Sequence, residues 1–176
     1  MADLSFNTPD GQTIGRELLI AYLNTGTASE PIWSPIGKRV EDSSAEYDWE
    51  EESSKDILGN TYTRLKKPTI TQNFDPWELD GGDAAQKKIW NLAIKEQNAQ
   101  ALSNQDMLIA HLYAGTANTA AFAERYAACK VINTNLGGEG GGNIGMSIEV
   151  TYGGERTVGT VAVAAGTVTF TPDVEV

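Results

Sequence analysis

His111 and Cys129 are the only histidine and the only cysteine in the chain. One imidazole and one thiol cannot assemble a His-based zinc site or a persuasive Cys–His nucleophilic dyad. A hydrogen-bonded structural role is expected for His111, and Cys129 reads as a small core residue. The abundant reactive groups are carboxylates: 24 Asp and Glu against 13 Lys and Arg leave a net charge of −11. Glycoside hydrolysis would need two of them facing each other across a cleft. Instead, seven of the twelve residues of EDSSAEYDWEEE (41–52) are acidic and run along one stretch of chain. Nothing sets one of them apart as an acid, so no enzymatic activity is expected, and no cofactor.

Two other stretches invite a chemical reading. GGEGGGNIG (137–145) is glycine-rich but lacks the Lys-Ser/Thr ending of a P-loop and the strand–helix placement of a dinucleotide fingerprint. Its Glu139 would also repel a phosphate, so a mobile connection is expected. DPWELDGGD (75–83) carries Asp75, Asp80 and Asp83, whose spacing does not match a calcium loop. Turn formation and helix capping account for all three.

The charge balance argues against gripping DNA or RNA, because that affinity comes largely from Lys and Arg displacing counterions. It disfavours an anionic membrane surface for the same reason. No apolar stretch approaches the length of a membrane span. The lone cysteine and the absence of a basic, then apolar, start in MADLSFNTPDGQ point to folding in a cytoplasm.

Glycines and prolines cut the chain into short segments, as in a strand-rich fold. RELLIAYL (16–23) suits a strand covered on both faces, and Trp33 and Ile36 are anchors in the following turn-rich stretch. In 41–52, strand parity places Asp42, Ser44, Glu46, Asp48, Glu50 and Glu52 on one face. Ala45, Tyr47 and Trp49 take the other, to be packed against the protein. A turn around Gly59-Asn60 then sends TYTRLKKPTITQNF (61–74) back as a hairpin partner. Arg64, Lys66 and Lys67 would return opposite Glu50–Glu52, and Pro68 marks an edge or bulge.

Asp83 is a good N-cap for a helix of about four turns bearing Ala85, Ile89, Leu92, Ala93 and Glu96. QDMLIAHLYA (105–114) is a strand. FAERYAACKVIN (122–133) is ambiguous between helix and strand, with strand favoured in its second half. MSIEVTY, RTVGTVAV and GTVTFTP are three final strands. The predicted architecture is mainly β (α+β): a β-sandwich or barrel of about eight strands with one flanking helix and a long hairpin.

WSPIGKRVEDSSAEYDWEEE, SKDILGNTYTRLKKPTITQNFDPWEL, NLGGEGGGN and SIEVTYGGERTVGTVAV occur in that order between about Trp33 and about Phe170. With the D-I-L-G tip after an acidic strand and a single mid-chain helix, the chain resembles the major tail tube protein of long-tailed (siphovirus-like) bacteriophages. The resemblance implies one tail tube domain over 1–176, with no immunoglobulin-like domain after TVTFTPD. It implies a non-enzymatic virion protein assembled in the bacterial host cytoplasm and located in the tail. Its subunits would form hexameric rings stacked into a tube through which double-stranded DNA passes without specific binding. The implied partners are further copies of itself, a tape measure protein, a tail terminator and a distal tail or baseplate protein.

A DNA conduit should not hold DNA, and carboxylates repel phosphate. Asp42, Glu46, Asp48, Glu50 and Glu52 are therefore candidates for the lumen wall, although parity separates faces without saying which points inward. By the same resemblance the hairpin tip, Lys55, Asp56, Ile57, Leu58, Gly59 and Asn60, would contact the next ring. Ile57 and Leu58 could equally cover the protein's own core. Rival readings are the inner tube of a contractile tail or secretion system, or a carbohydrate-binding β-sandwich using Trp33, Trp49 or Trp77 as stacking platforms.

Overall fold

In β9 (Ile148–Tyr152) residues 148, 150 and 152 are buried, while Glu149 and Thr151 are not, which is the alternation of a strand with one covered face. The computed structural model describes residues 3–174, and eleven strands lie there, some of them sharing this two-residue period. They are β1 (Leu19–Asn24), β2 (Trp33–Ile36), β3 (Ala45–Asp48), β4 (Glu51–Lys55), β5 (Thr61–Leu65), β6 (Thr69–Phe74), β7 (Gln105–Thr116), β8 (Ala120–Asn133), β9, β10 (Arg156–Ala164) and β11 (Thr167–Pro172). The fold is mainly β, as the sequence indicates.

Eleven strands replace the expected eight or so. The stretch 41–52 is interrupted at Trp49 and Glu50, and 61–74 at Lys66–Pro68, where proline lacks the N–H a ladder needs. Trp33–Ile36 forms a strand of its own despite containing Pro35. It can do so because β2 lies at the end of the sheet path, with β1 as its paired neighbour.

All pairings are antiparallel, in the order β2-β1-β7-β8-β9-β6-β3, with β10 joining β8 and β11 joining β10. The long β8 divides its second edge: residues 121–126 pair with β10 and residues 130–133 with β9. The six strands β2-β1-β7-β8-β10-β11 curl until β11 approaches β2. Tyr22, Trp33, Leu108, Ala110, Leu112, Ala121, Ala123 and Val161 pack together on one side of them. A second core cluster joins Leu23, Met107, Ile109, Val131, Ile148 and Val150 with Trp77 and Ile89. Both faces of β1 and β7 are thus covered, as expected within 16–23, but the strand starts only at Leu19 because Arg16–Leu18 form a 3-10 turn with no buried residue.

A β-bulge lets β8 serve both core clusters. Met107 pairs with Tyr126, but Gln105 pairs with Cys129, so β8 carries an extra residue between them. The parity reverses there, and Cys129 and Val131 fall on the same core side as Tyr126. The whole of 120–133 is strand; its interrupted alternation explains the helix-like appearance of the sequence.

The helix begins where expected. Asp83 accepts the Gln86 backbone N–H at 3.1 Å, capping α1 (Ala84–Trp90). Ala85, Ile89 and Ala93 face the core, whereas Glu96 is exposed. The helix is shorter than four turns: after Trp90 it widens into a π-helical turn at Asn91–Lys95. A separate one-turn helix, α2 (Ala99–Leu102), follows and buries Leu102.

Candidate functional site: a projecting hairpin, the groove at its base and a polar sheet face

β4 and β5 form a two-stranded sheet apart from the main one, and all ten of their residues are exposed. Glu52 pairs with Arg64 and Glu51 with Leu65. Lys66 Nζ contacts Glu52 at 2.9 Å and Glu50 at 3.4 Å. The expected charge match across the hairpin is therefore present, except that Lys67 turns towards a neighbouring groove. These ion pairs lie in solvent and set register more than stability.

Asp56 organises the tip. Its carboxylate accepts the backbone N–H groups of Leu58 and Asn60, both at 2.9 Å, the Asn60 side-chain amide at 3.0 Å and the Tyr62 hydroxyl at 3.0 Å. Hydrogen bonds from Asn60, Tyr62 and Leu58 hold its pKa below the ordinary aspartate value. Gly59 takes φ +85°, the left-handed conformation the turn requires. Ile57 and Leu58 are displayed on this ordered turn at 102% and 80% exposure. They cover none of the protein's own core.

The groove lies at the other end of the hairpin. It has a volume of about 760 Å³ and is lined by Tyr47, Trp49, Pro68, Ile70, Tyr126 and Tyr152, with Lys67, Glu155 and Arg156 among its polar residues. Tyr47 and Trp49 are about half exposed, which corrects the expectation that they pack into the body. β3 ends the sheet path with β6 as its paired neighbour, so no further strand among the described residues flanks it, and the chain leaves for the hairpin after Asp48. The rings of Tyr126 and Tyr152 lie 5.3 Å apart, and the Tyr152 hydroxyl donates to Gln72 at 2.7 Å. The Tyr126 hydroxyl is buried without a hydrogen bond of normal geometry. Burial, reinforced by the charge of Glu124, pushes its pKa up to about 12.

Glu124 is the groove's buried charge. Arg156 Nε donates to it at 2.8 Å with a second contact from the same guanidinium, and His111 Nε2 lies at 3.2 Å. Burial opposes its ionisation, but these partners prevail and hold its pKa below the usual glutamate value. His111 also meets the Tyr113 hydroxyl through Nδ1 at 2.8 Å, the hydrogen-bonded role expected of it. Cys129 is fully buried, and burial raises its thiol pKa to about 12, so it is an inert core residue.

The acidic face predicted for 41–52 does not stay together. Asp42 lies in the loop before β3, and Glu50 and Glu52 belong to the hairpin side that meets Lys66. Glu46 and Asp48 remain on the main sheet, where Glu46 pairs with Thr71 and Asp48 with Thr69. Thr71 pairs in turn with Thr151, and Thr151 with Lys130. Cross-strand partners share a face, so Glu46, Asp48, Thr69, Thr71, Thr151 and Lys130 form one largely polar surface, joined by Asn73, Glu149 and the half-buried Ile132. Reading 41–52 as one strand missed this Thr-rich surface, although alternation in 69–73 marks its β6 portion.

The other sequence candidates are structural. Asp80 accepts Lys38 Nζ at 2.6 Å and the Gly82 N–H at 2.9 Å, and these contacts lower its pKa to about 2. Asp75 accepts the Ser147 hydroxyl. Among the described residues, no group of three or more His, Cys, Asp or Glu could hold a metal ion. The glycine-rich stretch is closed at its base by reciprocal Gly137–Gly145 hydrogen bonds of 3.0 and 2.7 Å. Trp33 and Trp77 are buried, leaving Trp49 as the exposed one of the three proposed sugar platforms. No helix among the described residues is long and apolar enough to cross a membrane.

No protein-family model and no curated protein matches the chain. Solved structures with a similar chain path include the sheath/tube terminator of an extracellular contractile injection system, PVC, in its extended state. That likeness has 12% identity and a TM-score of 0.49, covering 85% of this chain and 99% of that one. The PVC sheath-tube complex in the extended state gives 10% identity and a TM-score of 0.49, over 86% and 95% of the two chains. The tube terminating cap of the anti-feeding prophage gives 14% and 0.47, over 88% and 95%.

Proposed function

We propose that the chain is a structural subunit that self-assembles into a tail tube of stacked, hexameric rings, a conduit for double-stranded DNA ejection. The observation carrying this reading is the display of Ile57 and Leu58 at the end of a standalone hairpin. Apolar residues held in solvent by an ordered turn gain nothing for the isolated chain, and large exposed apolar groups mark contact surfaces. An isolated two-stranded hairpin is itself marginally stable, so a neighbouring subunit would support it as well as bury its tip. The unpaired outer edge of β3 is the kind of liability that assembly into a ring removes.

The polar face of β3, β6, β9 and the end of β8 is our choice for the lumen wall. Short hydroxyl and amide side chains with Glu46, Asp48 and Glu149, offset by Lys130, give a surface that does not grip phosphate. Glu46 and Asp48 keep the lumen role proposed from the sequence; Glu50 and Glu52 serve the hairpin. The inter-ring role of Lys55 to Asn60 stands as proposed. Tape measure, terminator and distal tail or baseplate proteins would meet the two ends of the tube, assembled in the host cytoplasm and carried in the virion tail.

Electron microscopy of the purified protein, alone and co-expressed with a tape measure protein, tests the reading. Rings or tubes are expected; a folded monomer under every condition would refute it. An inner tube of a contractile tail would instead co-sediment with a sheath protein. The exposed Tyr47 and Trp49 favour a sugar-binding groove as the reading of a different class, and glycan binding without assembly would establish it.

A further inference from the structure

We propose that the groove at the base of the hairpin is the acceptor for the hairpin tip of a second copy, so that Ile57 and Leu58 of one chain seat between Tyr47, Trp49 and Pro68 of the next. The inference rests on the self-assembly reading and adds the acceptor that it lacks. Tip and groove lie at opposite ends of the β4–β5 hairpin. Five residues per strand at about 3.3 Å each separate them by roughly 17 Å, so a chain cannot fill its own groove with its own tip.

The two surfaces match in size and character. A groove of about 760 Å³ is within the roughly 300–1,000 Å³ of sites that enclose compact apolar ligands, and two aliphatic side chains fit such a space. Its walls are aromatic and half exposed, and its floor holds the Tyr126 hydroxyl, buried without a well-formed hydrogen bond. Charge also matches. The tip carries Lys55 and the groove carries Glu155. Neither has an ion-pair partner among the described residues.

Such a contact is directional. Each copy offers one tip and one groove, and when a tip enters the groove of one neighbour without a return contact, a free tip remains at one end and a free groove at the other. Head-to-tail contacts of this kind propagate rather than close on a pair.

Two double variants isolate the contact. Ile57→Asp with Leu58→Asp removes the tip and spares the groove; Tyr47→Glu with Trp49→Glu spoils the groove and spares the tip. All four side chains are exposed or half exposed, and circular dichroism checks that both variants fold. Each alone should need a concentration ~100-fold or more above that of the wild type to associate end to end, from the lost apolar burial. Mixed together, they should form a complex containing both variants that stops growing, since one intact tip meets one intact groove. If the wild type and the groove variant associate equally well while the tip variant does not, the tip docks elsewhere and the proposal is overturned. Failure of the mixture to form a joint complex, with both variants folded, overturns it too. A wild type that stays monomeric under every condition removes the self-assembly reading itself.

Discussion

The Tyr62 hydroxyl donates to Asp56 at 3.0 Å, joining the returning strand of the hairpin to the turn that displays Ile57 and Leu58. The same carboxylate holds the N–H groups of Leu58 and Asn60, so one residue orders the whole tip. Order matters because an apolar contact made by a floppy turn must first offset the entropy of fixing it.

Asp56→Ala should therefore loosen the tip without loosening the body. Hydrogen exchange at the Leu58 and Asn60 amides should quicken, while the thermal midpoint stays near that of the wild type. The folded pKa of Asp56 lies below its ordinary value, so tip order is complete above that ordinary value. It is lost as pH falls through the folded pKa. Acidification should mimic the substitution in the wild type and add nothing in the variant.

Glu124 gives a second pH dependence, this time in the body of the fold. Its folded pKa is below the ordinary glutamate value, so its stabilising contribution is full above that ordinary value and disappears as pH falls through the folded value. Between about pH 5 and pH 3, the urea midpoint of the wild type should fall more than that of Glu124→Gln. Arg156→Ala leaves the carboxylate buried with His111 alone and should cost about 1–3 kcal/mol at neutral pH.

Much of this organisation is visible in the residues themselves. Ile148, Val150 and Tyr152 alternate with polar neighbours because one face of β9 is buried, and Asp83 announces the helix because a short acceptor must satisfy its first N–H groups. β8 resisted reading because the bulge near Ala127 shifts its parity, and a shifted alternation looks like no period at all. The break at Trp49-Glu50 has no proline or glycine to mark it. It comes from β3 ending at a sheet edge while β4 pairs with β5, a tertiary choice that the local residues do not encode. For the same reason the pairing of Glu46 with Thr71, and through it the polar face, became visible in the folded chain.

Core packing makes a simple prediction. Leu23 is fully buried among Met107, Ile109 and Ile148, and Leu23→Ala should cost about 2–5 kcal/mol in chemical unfolding. Asp83→Ala removes the helix cap and should cost about 1 kcal/mol.

Reversing charge on the polar face tests its proposed duty. Glu46→Lys with Asp48→Lys should leave assembly intact, since both side chains are exposed, but should make tubes retain double-stranded DNA. Retention should weaken steeply with added salt. Tubes that ignore DNA equally with and without the substitutions would place this face elsewhere than the lumen.

A reconstruction of the assembled particle at side-chain resolution addresses the central claim most directly. The account predicts a tube in which Ile57 and Leu58 are buried against a neighbouring subunit and Glu46, Thr71 and Glu149 line the inner wall. A tube whose hairpin tips stand free in solvent, with that polar face on its outer surface, would contradict it.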